Sequence, residues 1–171
     1  TTAALERLRL NVQGARIFTS SHGYCLDTFT VLEEAGTPVG DSPTRIEEIV
    51  SALTTSLANK HTAIGTPTYR QTRKERYFAR KVLVRLSNPE NRLHSTLEIN
   101  CPDHPGILAT VGKLFVEESI NVKDARITTL GERVEDLFYI TNKHDQKLLA
   151  AEEIEELSSK IEEAVEARLS V

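Results

Sequence analysis

The segment Asn11-Val12-Gln13-Gly14-Ala15-Arg16-Ile17-Phe18-Thr19 returns at a spacing of 110 residues as Asn121-Val122-Lys123-Asp124-Ala125-Arg126-Ile127-Thr128-Thr129. The echo resumes after a turn one residue shorter in the second copy, where Asp27-Thr28-Phe29-Thr30-Val31 matches Asp136-Leu137-Phe138-Tyr139-Ile140. A repeat of this period means one supersecondary unit used twice, which constrains the fold more than any local pattern. The copies are not equally complete. Patterned sequence runs from Thr96 up to Asn121 ahead of the second copy, but only Thr1 to Leu10 precedes the first. The front of the first unit is therefore expected to be missing, and the chain reads as a piece of a longer protein.

The second unit reads β-α-β-β-α. Ser95 to Asn100 alternates through Leu97 and Ile99, a strand with one buried face. Two prolines and a glycine in Cys101-Pro102-Asp103-His104-Pro105-Gly106 must end it. A helix follows, with Asp103 expected as N-cap and Pro105 in the first turn. Ile107, Leu108, Val111, Leu114 and Phe115 make its apolar stripe. Asn121–Thr129 and Val134–Thr141 form a hairpin around Gly131 to Arg133. A helix from about Ala150 to Leu169 closes the chain, with Ile154, Leu157, Ile161, Val165 and Leu169 on its apolar side.

The first unit begins in the tail of a helix, Ala3 to Leu10, and continues as a hairpin from Asn11 to Glu33. A Gly/Pro-rich loop leads to a helix carrying Ile46, Ile49, Val50, Leu53 and Leu57. After a linker at 59–80 comes a strand, Lys81 to Leu86. The order α-β-β-α-β is β-α-β-β-α-β without its first strand. The fold expected is therefore α+β and ferredoxin-like, in two tandem units at 1–87 and 88–171. Unpaired strand edges need partners. Pairing between the units, or between chains as a homo-oligomer, would supply them.

Composition narrows the function classes. At 39% hydrophobic and 27% charged, the chain reads as an ordinary globular protein. It has no apolar run long enough for a membrane span and no signal-peptide pattern, so a cytoplasmic protein with no membrane partner is expected. Cys25 and Cys101 read as free thiols. The stretch Lys60 to Arg85 is basic, with Arg70, Arg73, Lys74, Arg76, Arg80 and Lys81 against Glu75, while the last helix is acidic. A solvated linker, or one docked on acidic residues, explains this without a nucleic-acid partner, since no nucleic-acid motif is present and the net charge is −4. His22, His61, His94, His104 and His144 are scattered, so no metal site is expected. No catalytic constellation appears. Glu135 and Asp136 are expected to alternate faces in the hairpin, in solvated or turn-stabilising roles. No cofactor is expected in this segment.

The turn from Asp103 to Leu108 stands apart. Amide N–H groups exposed at a helix start attract a carboxylate, and the side chain of Asp103 could hold an ammonium. An amino acid carries both charges. The same residues also make an ordinary strand-to-helix connection, and from the turn alone both readings stand.

Cys101-Pro102-Asp103-His104-Pro105-Gly106-Ile107-Leu108-Ala109, with Val111-Gly112-Lys113-Leu114-Phe115 and then Ser119-Ile120-Asn121-Val122, resembles the ACT domain, a regulatory ferredoxin-like module that senses amino acids. Asp124 to Phe138, and in the first unit Ala15 to Ser20, Gly23-Tyr24 and Leu26 to Phe29, resemble the tandem ACT domains that end bacterial bifunctional uridylyltransferase/uridylyl-removing enzymes. The resemblance implies a parent that modifies the nitrogen-signalling protein PII through catalytic domains outside this segment, with glutamine as the sensed ligand. It implies ligand contacts from Asp103 and the backbone of His104, Pro105, Gly106, Ile107 and Leu108. Asn121, followed by Val122, would contribute across an interface between units, with Asn11 as its counterpart. A ligand-free scaffold, holding subunits together or contacting PII, is the competing expectation.

Overall fold

The computed structural model describes residues 1–40, 42–58 and 82–170. Its elements are α1 (Thr2–Arg7), β1 (Leu10–Thr19), β2 (Cys25–Glu33), α2 (Pro43–Ala58), β3 (Leu83–Ser87), β4 (Ser95–Pro102), α3 (Ile107–Glu117), β5 (Asn121–Leu130), β6 (Arg133–Thr141) and α4 (Ala151–Leu169). The linker expected at 59–80, and with it the basic stretch as far as Lys81, lies outside the described residues.

Six strands form one antiparallel sheet in the order β2-β1-β5-β6-β4-β3. The two hairpins, β1–β2 and β5–β6, join through β1 and β5. That seam is self-complementary. Arg16 pairs with Arg126, its own repeat equivalent, and Ala15 with Ile127 mirrors Ile17 with Ala125. A register irregularity falls at Val12/Gly14 in one hairpin and at Val122/Asp124 in the other. The side chains repeat the symmetry. Thr129 Oγ1 donates to Val12 O at 3.1 Å, and Thr19 Oγ1 donates to Val122 O at 2.9 Å. The sequence duplication has thus become a pseudo-two-fold axis through Arg16 and Arg126.

The strand read as the last of the first unit, β3, lies beside β4 at the far end of the sheet, with Val84 opposite Ile99 and Leu86 opposite Leu97. It fills the edge that the second unit leaves open. Leu97 and Ile99 are almost fully buried, and β3 supplies Val84 and Leu86 to continue their apolar rows.

The core belongs mainly to the second unit. Cross-strand neighbours share a face, so Leu86, Leu97, Phe138, Ala125 and Ile17 form one row across five strands. Val111, Leu114 and Phe115 of α3 and Leu157, Ile161 and Val165 of α4 join these strand residues in one buried cluster. Phe115 meets Phe138 edge-on at 5.2 Å. Each of these buried side chains contributes about 1.5–3 kcal/mol. By contrast, none of the described residues of α2 is fully buried, and Ile46, Val50 and Leu57 are exposed. Arg45 anchors α2 instead, paired with Glu33 at 2.8 Å and donating to Leu8 O at 2.9 Å.

Candidate functional site at the seam

A cleft of about 600 Å³ lies where the first hairpin meets the loop between β4 and α3. Asn11 and Val12 line it from β1, the segment Asp103 to Ala109 from the loop and α3, and Ile127, Thr129 and Asp136 from the second hairpin. It brings together Asp103, His104, Pro105, Gly106, Ile107, Leu108 and Asn11 of the expected site. It does not include Asn121 or Val122. Those stand at the other end of the seam, related to Asn11 and Val12 by the pseudo-two-fold. There the Asn121 amide donates to Asn142 O at 3.3 Å and Asp145 Oδ1 at 3.1 Å.

The loop is held at each step. The Asp103 amide donates to Glu132 O in the β5–β6 turn at 2.9 Å. His104 is buried, with Nδ1 2.9 Å from Pro105 O. Gly106, rather than Asp103, occupies the cap position, at φ 89°, and the helix begins at Ile107. Asp103 and Pro105 therefore precede the helix. The expected Asp103 cap fails because two further residues intervene between Asp103 and Gly106, and only a glycine adopts this left-handed geometry without strain. The Thr110 amide and hydroxyl both close onto Gly106 O at 2.9 Å. The helix geometry leaves the first-turn amides, those of Leu108 and Ala109 among them, without acceptors inside the helix.

The electrostatics favour a cation near the floor. Burial pushes the Asp103 carboxyl up, against the pull of His104. Burial pushes Asp136 up to about 7; the Thr128 N–H lowers it, and Asp103 adds repulsion. Burial also raises Glu6, opposed by Arg168. An ammonium entering beside Asp103 and Asp136 would restore their preference for charge. The amides at the start of α3 suit an anion. Among the described residues, no group of three or more His, Cys, Asp or Glu side chains could hold a metal ion.

Three contributors escaped the sequence reading. Asp136 is 4% exposed, not solvated. Period-two alternation with Val134, Phe138 and Ile140 already puts it on the buried face. Arg168 follows Leu157, Ile161 and Val165 at helical spacing and is buried with them. Glu6 gives no signal, because its partner is 162 positions away.

Residues 95–158 match the family model of the ACT domain. The chain is 45% identical over 148 residues to a bifunctional uridylyltransferase/uridylyl-removing enzyme of Stutzerimonas stutzeri, covering 86% of this chain and 16% of that enzyme. It is 40% identical over all 171 residues to an enzyme of the same name from Pseudomonas fluorescens, covering 19% of it. The chain thus spans less than a fifth of the length of these relatives. No solved structure matches it. No described helix is long and apolar enough to cross a membrane.

Proposed function

We propose that this chain, whose residues 95–158 match the family model of the ACT domain, is an amino-acid-sensing regulatory module whose ligand is glutamine. It would serve a cytoplasmic enzyme that attaches and removes uridylyl groups on the PII protein, with catalytic domains outside this segment. The names of the relatives support the parent activity, and the cleft supports the sensing.

The observation that carries the reading is the convergence of the Asp103–Leu108 turn and Asn11, from different units, on one cleft at the seam. The ligand ammonium would sit at Asp103, with Asp136 behind it. Its carboxylate would take the amides at the start of α3. Asn11 would reach the ligand from across the seam. A ligand held by both units stabilises the arrangement in which they meet. It shifts an equilibrium only as far as its affinities for the two arrangements differ.

Calorimetric titration of the chain with L-glutamine tests this. Binding is expected, with affinity lost on Asp103→Ala or Asn11→Ala while the fold is kept. A folded protein giving no heat with millimolar glutamine would overturn the reading. The scaffold reading draws on a separate observation, the ion pair of Glu6 with Arg168 that already bridges the units without a ligand. It expects Asp103→Ala to change nothing in assembly or regulation.

A further inference from the structure

Glu6 and Arg168 make none of the ligand contacts proposed above, yet they occupy the space in front of Gly106. Arg168, on α4, is 8% exposed. Its Nη2 lies 2.7 Å from Glu6 Oε1 on α1, and its Nε donates to Pro105 O at 2.8 Å. A Cβ placed on Gly106 would stand 2.5 Å from both Arg168 Nε and Glu6 Oε1. One of the chain's own carboxylates therefore lies against the residue that opens the helix, beside the amides that would attract the carboxylate of an amino acid. Glu6 lines the same cleft.

The guanidinium is the better fixed of the two partners. It is tied to the ligand loop through Pro105 O and comes from the helix packed in the core. Its planar fork is the side chain best matched to a carboxylate. Glu6 comes from the short helix of the other unit. Burial raises its proton affinity more than Arg168 lowers it, so its charge is held against a desolvation cost that a competing carboxylate can relieve by taking its place. Resting on the amino-acid reading of this cleft, we propose that Arg168 recognises the ligand carboxylate and that Glu6 is its tethered stand-in, displaced when the cleft fills.

The consequence is a coupling between ligand binding and the docking of α1. Because coupling is reciprocal, whatever weakens the hold of Glu6 tightens the ligand by the same factor. Glu6→Gln keeps the size of the side chain and removes the charge. In calorimetric titrations of the whole chain, L-glutamine is expected to bind Glu6→Gln about tenfold tighter than wild type. γ-Aminobutyramide, which is glutamine without its α-carboxylate, is expected to show no gain. Arg168→Gln is expected to lose glutamine at least about tenfold. Circular dichroism checks folding, and Glu6→Ala serves if Glu6→Gln does not fold.

Two results would overturn the displacement while leaving the amino-acid reading intact. One is wild type binding glutamine and Glu6→Gln binding it no tighter. The other is an equal gain for both probes, which marks a general loosening of the cleft. If neither folded protein binds glutamine, the amino-acid reading falls and the displacement falls with it.

Discussion

Replacing Asp136 by Asn should remove a pH dependence of stability that the fold builds into the cleft floor. The Asp136 carboxyl is buried opposite Ile99 and is pushed up to about 7 from an ordinary 3.8. The folded chain therefore binds this proton more tightly than the unfolded chain does. Its contribution is full below the unfolded value and is lost as pH rises through about 7. Each tenfold difference in proton affinity between the two states corresponds to about 1.4 kcal/mol, so wild type should lose about 4 kcal/mol from this group between about pH 4 and about pH 8. Asparagine stays neutral throughout, and its Oδ1 can still accept from the Thr128 N–H, now 3.4 Å away. Urea unfolding of both proteins across this range isolates the effect, because the other groups largely cancel in the difference. The excess stability of Asp136→Asn should grow by about 4 kcal/mol from the acid to the alkaline end. A difference that stays constant with pH, or that moves in favour of wild type as pH rises, would refute a buried, proton-holding Asp136.

Gly106→Ala should destabilise by about 2–4 kcal/mol, combining left-handed strain with displacement of the buried Arg168–Glu6 pair; thermal unfolding measures it, and a neutral result would mean that the pair does not crowd Gly106. Thr129→Val and Thr19→Val should each cost about 1 kcal/mol through the loss of one seam hydrogen bond. Their effects should add in chemical denaturation, since they sit at opposite ends of the pseudo-two-fold. Leu97→Ala, at a site with no exposure, should cost about 2–5 kcal/mol by the same measurement.

The elements are largely legible in the sequence because their signals are local. Alternation through Leu97 and Ile99, and the three- and four-residue steps from Ile107 to Phe115, mark strand and helix directly. The seam is half legible. The duplication announces two units and open edges, but not that Arg16 pairs with Arg126, because register is set by packing between distant segments. The placement of β3 is hidden for a related reason. A short apolar strand following a helix fits the end of one unit as well as the edge of the next, and only the unfilled edge beside Leu97 and Ile99 decides. In the cleft, the turn from Asp103 to Leu108 is readable from its prolines and glycine. Asp136 reads as solvated when only the acidic pair Glu135-Asp136 is weighed, although its alternation with Phe138 and Ile140 points inward. The Glu6–Arg168 bridge is beyond reach, since nothing local marks an ion pair between opposite ends of the chain.

The central claim, that an amino acid is sensed at the seam between Asn11 and the Asp103–Leu108 turn, is tested most directly by following backbone amide resonances of the chain as L-glutamine is added. The largest changes should cluster at Asn11, Val12 and Asp103 to Ala109, with Asn121 at the other end of the seam unmoved. Saturable changes centred on Asn121 to Lys123, or no saturable change in the cleft at all, would contradict it.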